Sequence, residues 1–248
     1  MADPLPLNRV RIVLCGTSHP GNIGASARAM KTMGLTALHL VNPVRFPAAD
    51  ADAMASGAAD VLEKAVVSGS IDEALTGTVF AVACTARSRD LSHSVLTARE
   101  TGARLAREAS QGPVALVFGP EQTGLTAQEV SRCGAIGMIP ANPDYSSLNL
   151  AAAVQIFAYE VRQAVESVTS YPQETYEVAS YEEVELFFRH LEETLYDIEF
   201  LHPKQPKRLM QRLRRLFHRA RLEKEEANIL RGILSAAQKP LKRNRGPR

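Results

Sequence analysis

Cysteine is scarce in this chain: three in 248 residues, at positions 15, 84 and 133, with no C-x-x-C pair. An odd, widely spaced set excludes a disulfide framework and a cysteine-based zinc site, and no metal is expected. Long apolar runs are missing too. The longest, such as VFAVAC (79–84), fall far short of the roughly 20 residues that cross a bilayer. The opening MADPLPLNRV has no basic segment followed by an apolar one, so neither a membrane nor export is expected, and a reducing cytoplasm is. Also absent is G-x-G-x-x-G with an acidic residue about 20 positions on, which a doubly wound dinucleotide-binding enzyme would carry.

What is present is ordinary in bulk and uneven in detail. Hydrophobic residues make up 45% and charged residues 23%, enough apolar material for one large domain or two smaller ones. The net charge of +2 conceals a split: residues 201–248 hold 15 Lys and Arg against 3 Asp and Glu, leaving 14 against 24 elsewhere. A basic end on an acidic body fits a polyanionic partner, and it also fits a solvated helical surface.

Short β-branched runs alternate with helical stretches from residue 9 to about 165. Strands are predicted at 10–16, 37–42, 65–67, 78–85, 113–119 and 135–140. Several are apolar on consecutive positions, as strands covered on both faces are. Helices are predicted at 22–33, 50–62, 71–76, 97–110, 126–132 and 147–167. This order predicts an α/β fold with a mainly parallel sheet over residues 1–168. Periodicity then lapses around Pro172, giving a linker over 169–182. Residues 183–248 read as a small helical extension. Within it Leu209, Leu213 and Leu216 share one helix side, and Arg208, Arg212, Arg215 and Arg219 share the other.

Three turns follow predicted strands and carry residues of interest. HPGNIGASARAMKTMG (19–34) opens a helix with Gly21, Asn22 and Gly24 and places Arg28 one turn further on. Glycines there admit a close ligand, free N–H groups at a helix start favour an anion, and Arg28 can grip a phosphate with its planar fork. An ordinary structural turn, with His19 as a turn residue, is the competing reading. VFGPEQTGLT (117–126) sets Glu121 between Gly119 and Gly124, with Thr126 as a helix cap or Glu121 merely solvated. IPANPDYSSLNLAAA (139–153) runs into an apolar helix capped by Ser146 or Ser147, with Asn149 in its first turn.

In this order and spacing the three segments resemble the three motifs of the SPOUT superfamily of RNA methyltransferases. With ARSR (86–89), RLRRLF (212–217) and NILRGIL (228–234) added, the likeness narrows to its TrmJ-type tRNA 2′-O-methyltransferases and runs from about Val10 to Ala237. The resemblance implies S-adenosylmethionine as cofactor, held in a trefoil knot at the C-terminal side of the sheet domain. It assigns the cofactor pocket to Cys84, Thr85, Ala86, Gly119, Ile139, Ser146, Ser147 and Leu148. It assigns catalysis to Arg28, Asn22, Glu121, Ser147 and Asn149, at the ribose 2′-hydroxyl of nucleotide 32 in the tRNA anticodon loop. It further implies a homodimer whose site is completed across two subunits.

Residue chemistry adds its own terms. A guanidinium keeps its proton, so Arg28 is better suited to gripping the phosphate beside the target ribose and stabilising a developing alkoxide than to removing a proton. Arg208, Arg212, Arg215 and Arg219, with Arg214 and Lys207 close by, form a ridge able to follow an RNA backbone. Tryptophan is absent altogether, so stacking of bases on an aromatic-paved sheet is not the expected mode. Cys84 and Pro120 depart from the residues expected at those places. Two alternatives stay open: another tRNA position or ribosomal RNA as target, and an RNA-binding module without catalysis.

Overall fold

The computed structural model describes residues 6–86, 94–167, 177–202 and 208–244, so Lys207, most of ARSR and most of the expected linker lie outside the described residues. The chain divides into two compact units, one ending at residue 174 and the other beginning at 175.

The first unit is built on β1 (Val10–Cys15), β2 (Ala37–Val41), β3 (Val66–Ser68), β4 (Phe80–Cys84), β5 (Val95–Thr97), β6 (Val114–Phe118) and β7 (Ala135–Met138). These strands form one sheet in the order β3-β2-β1-β6-β4-β7-β5, with every pairing parallel. VALVF in β6 is buried at all five positions, which is why it reads as an unbroken apolar run. The short strands β3 and β5 lie at the two edges and expose Val66, Val67 and Val95. Register gathers the motif turns. Leu40, Leu14, Phe118, Cys84, Gly137 and Leu96 stand level across six strands, so the loops that leave them emerge at one edge. In open parallel sheets that carboxyl edge is where ligands bind.

Seven helices accompany the sheet: α1 (Pro20–Thr32), α2 (Ala49–Ala55), α3 (Ala59–Glu63), α4 (Ile71–Leu75), α5 (Ala98–Glu108), α6 (Ala127–Ser131) and α7 (Leu150–Ser167), among the described residues. In space α2, α1, α7 and α5 neighbour one another in that order. Phe157 of α7 meets Phe118 of β6 edge-to-face at 5.8 Å, tying that layer to the sheet centre. Burial of a ring of this size contributes about 1.5–3 kcal/mol.

Several expectations need correcting. The helix expected at 50–62 is broken into α2, a 3-10 turn at Ser56–Ala58 and α3, with Ser56 at φ 53°. The helix expected from Ser147 begins at Leu150. Asn149, not Ser146 or Ser147, caps it: its Oδ1 accepts the N–H of Ala151 at 2.9 Å and of Ala152 at 3.4 Å. Gly24 does not admit a ligand. A Cβ there would lie 1.9 Å from the Ala51 carbonyl oxygen, so this glycine lets α1 and α2 touch.

The second unit packs α8 (Tyr181–Asp197), α9 (Leu209–Ala220) and α10 (Lys224–Asn244) around Phe187, Phe188, Leu191, Leu222 and Ala227. Ser180 and Glu183 form a capping box that starts α8, two residues inside the stretch expected to be linker. Arg221, at φ 54°, ends α9 in the left-handed conformation. A short antiparallel bridge joins Val178 to Glu223.

Candidate active site

Three chain segments meet at the carboxyl edge. The turn after β4 brings Cys84, Thr85 and Ala86; the turn after β6 brings Gly119, Pro120, Glu121 and Gln122; the stretch after β7 brings Ile139, Ser146, Ser147 and Leu148. Together with Phe118, Leu150 and Phe157 they line a cleft of about 810 Å³, counted out to its solvent-open mouth. All eight residues expected to hold a cofactor lie on this cleft. Gly119 is needed for the shape of its own loop. A Cβ there would stand 2.2 Å from the Leu125 amide nitrogen, because the chain folds back through Gly124 at φ +65°. Thr126 then starts α6 with a capping box to Glu129.

The walls are largely neutral. Burial, and then the neighbouring Cys133 thiol, push the Cys84 thiol well above its usual range, outweighing a hydrogen bond with the Val117 backbone. Cys84 is therefore a small apolar wall and not a nucleophile. Among the described residues no cluster of His, Cys, Asp and Glu is suited to a metal ion, and no helix is long and apolar enough to cross a membrane.

At the rim stands Glu121. Its Oε2 accepts the Ser18 hydroxyl at 2.7 Å and the Ser18 N–H at 3.1 Å; its Oε1 accepts Asn22 Nδ2 at 2.7 Å and the His19 N–H at 3.4 Å. Partial burial opposes its charge, but the hydrogen bonds from Asn22 and Ser18 overcome that and hold the carboxyl at about 2. It stays ionised at neutral pH, with donors on both oxygens. The start of α1 thus holds an anion, as expected from the sequence, but the anion is the protein's own carboxylate.

The chain of contacts continues. Asn22 Oδ1 accepts Asn149 Nδ2 at 3.1 Å, and Asn149 in turn caps α7. Glu121, Asn22 and Asn149, one from each sequence motif, are therefore joined by side-chain hydrogen bonds across separations of 99 and 127 residues. Of the five catalytic candidates, Glu121 and Ser147 line the cleft, Asn22 is bonded to Glu121, and Asn149 is bonded to Asn22. Arg28 does not line the cleft of its own chain. It is exposed on α1, two turns beyond the junction, and makes no hydrogen bond or ion pair among the described residues. Ser18 escapes a reading of the sequence. A serine before His-Pro-Gly looks like a turn former, and nothing local announces a partner 103 residues away.

In the helical unit the expected ridge is partly present. Arg208, Arg212 and Arg219 are exposed, and Arg215 is half-buried. Arg214 must be removed from the ridge. Its guanidinium pairs in two places with the Glu185 carboxylate of α8, Nη2 to Oε2 at 2.8 Å, and lies 4.4 Å from the Phe188 ring centroid. With 12% of its side chain exposed, Arg214 serves the interior of the unit.

Comparison with known proteins agrees with this geometry. Residues 9–159 match the SpoU rRNA Methylase family, and residues 182–246 match the C-terminal domain of the tRNA methyltransferase TrmJ. The chain is 51% identical over 238 residues to the tRNA (cytidine/uridine-2′-O-)-methyltransferase TrmJ of Yersinia pestis strain Pestoides F, covering 94% of this chain and 93% of that protein. It is 48% identical over 244 residues to the tRNA (cytidine/uridine/adenosine-2′-O-)-methyltransferase TrmJ of Pseudomonas aeruginosa strain UCBPP-PA14, covering 94% and 95%. The crystal structure of TrmJ from Z. mobilis ZM4 superimposes with a TM-score of 0.81 at 33% identity, over 92% of this chain and 98% of that one. Similar to these relatives through both of its units, the chain belongs to the TrmJ methyltransferases of the SpoU family.

Proposed function

We propose that this protein transfers the methyl group of S-adenosylmethionine to the ribose 2′-hydroxyl of cytidine or uridine at position 32 of the tRNA anticodon loop. The observation that carries the reading is the hydrogen-bonded junction of Glu121, Asn22 and Asn149 at the rim of a cleft lined by all three motif turns. SpoU methyltransferases bind S-adenosylmethionine, and the cleft suits it: Phe118, Ile139, Leu148 and Leu150 offer apolar walls. The neutral Cys84 thiol adds no competing charge beside them. In this reading Cys84, Thr85, Ala86, Gly119, Ile139, Ser146, Ser147 and Leu148 hold the cofactor, on the turns that the family resemblance assigns to a trefoil knot.

When bound, the cofactor supplies a methyl group made electrophilic by a sulfonium. The chain's own residues align the incoming ribose, exclude water and stabilise the charge that grows on the 2′-oxygen. Glu121 is not the proton acceptor, because its oxygens are already engaged by four donors and its proton affinity is low. It organises the site with Asn22 and Asn149, and Ser147 closes the cofactor turn. Arg28 grips the phosphate beside the target ribose. In this reading the working enzyme is a homodimer whose site is completed across two subunits, which the place of Arg28 outside the cleft of its own chain supports. Residues 1–168 carry the chemistry and 183–248 hold the tRNA through Lys207, Arg208, Arg212, Arg215 and Arg219.

The test is methyl transfer to two transcripts of one tRNA, identical except that the second has 2′-deoxyribose at position 32. The expected result is labelling of the first and not of the second. Equal labelling would move the target elsewhere in the tRNA, and labelling of neither, with ribosomal RNA accepting methyl instead, would favour that alternative.

A further inference from the structure

Helix α1 carries Arg28 yet has no side-chain cap of its own: His19 sits at the N-cap and makes no such hydrogen bond. The cap comes from Glu121, on the cofactor-side turn after β6, which accepts the N–H groups of Ser18 and His19 ahead of the helix. A carboxylate at this end of a helix is favoured by the helix dipole as well as by the unpaired N–H groups. The carboxylate can also rotate about its own bonds, so its orientation needs fixing. Two side chains do that, one on each oxygen: Asn22 at 2.7 Å and Ser18 at 2.7 Å. Asn22 donates Nδ2 to Glu121 Oε1 while its Oδ1 accepts from Asn149, so among side chains Oε2 is held by Ser18.

We infer that Ser18 is a positioning residue for methyl transfer: its hydroxyl locks the Glu121 carboxylate in the orientation that seats the start of α1 against the turn after β6 of its own chain, and so fixes the direction in which that helix presents Arg28 two turns further on. This rests on the proposed methyl transfer to tRNA. Ser18 is not itself part of the cleft lining and acts through Glu121, which is. Hydrogen bonds to a charged group are worth roughly a factor of ten or more. Ser18→Ala, assayed in the full-length protein with tRNA, should therefore lower kcat about tenfold and leave donor affinity by calorimetry within about twofold.

Three comparisons separate positioning from bulk structure. Ser18→Thr keeps the hydroxyl and should restore kcat to within about threefold of wild type. In a Glu121→Ala background, Ser18→Ala should change kcat by less than about twofold, since the group it acts through is gone. Ser18→Cys keeps the volume with a weak donor, and it carries the same two comparisons should the alanine variant not fold. Wild-type turnover in Ser18→Ala, or an undiminished tenfold effect without Glu121, would overturn the Ser18 assignment alone. A wild-type protein that transfers no methyl to tRNA would overturn it together with the proposed function.

Discussion

The two units place their charges in opposite ways. At the sheet edge, Glu121 is held by neutral donors, Ser18 and Asn22 foremost, while Arg28, exposed on α1, has no carboxylate partner among the described residues. In the helical unit, Arg214 is turned inward onto Glu185 and Phe188, while Arg208, Arg212 and Arg219 stay exposed. A charge taken out of water has to be matched by donors or a counter-ion, whereas an exposed guanidinium keeps its hydration and its capacity for a phosphate. The difference teaches how to sort arginines and carboxylates in this chain. Those with a full set of protein partners hold the fold, and the exposed Arg28, Arg212 and Arg219 are the ones proposed to meet the substrate.

Substitutions can break that sorting, and the largest effect is expected at Arg28. Arg28→Lys keeps the charge and loses the planar fork, so kcat should fall by about a hundredfold or more while the melting temperature stays within about 2 °C. Turnover near wild type would remove Arg28 from the chemistry. Arg214→Ala should act the other way. Removing the guanidinium that the Glu185 carboxylate holds in two places should cost about 3 kcal/mol of stability by denaturant titration, with tRNA affinity of the folded protein changed less than about threefold. If tRNA affinity collapsed without a stability loss, Arg214 would belong to the ridge after all.

Reversing two exposed charges, Arg212→Glu with Arg219→Glu, should weaken tRNA binding about thirtyfold at moderate salt and flatten the salt dependence, with stability little changed. Unchanged affinity would place the RNA surface elsewhere. The last effect concerns pH. Burial, and then the nearby Arg11 charge, lower His39 to about 4 from its usual 6.5. The folded state therefore prefers the neutral ring. The stability this provides is whole above pH 6.5 and is lost as pH falls from 6.5 towards 4, on the order of 2–3 kcal/mol. His39→Asn should flatten the stability curve within that window, and a curve unchanged from wild type would show that His39 is not the group involved.

Much of the first unit could be read directly from residue order. Six strands announce themselves as β-branched or fully apolar runs between turn residues, and each is found within two residues of its expected bounds. The seventh, Val95–Thr97, is three residues long, lies at the sheet edge and exposes two of them, so it has neither length nor alternation to reveal it. Around 146–149 two serines and an asparagine compete for one cap, and local preference cannot rank them. What decides is Asn22, which arrives from 127 residues away and holds Asn149 in place. The inward turn of Arg214 has the same origin. Its helical spacing sets it near the ridge, and only the carboxylate supplied by α8 draws it inside. Residue types and their spacing were visible in the chain; the pairing of Glu121 with Ser18 was not, because it exists only once β1 and β6 lie side by side.

The most direct test is mass spectrometry of nucleosides from tRNA incubated with the full chain and S-adenosylmethionine. The predicted product is 2′-O-methylcytidine or 2′-O-methyluridine that requires the donor and disappears with Arg28→Lys. A methyl group on a base, or no methylated nucleoside from an RNA that the protein demonstrably binds, would contradict it.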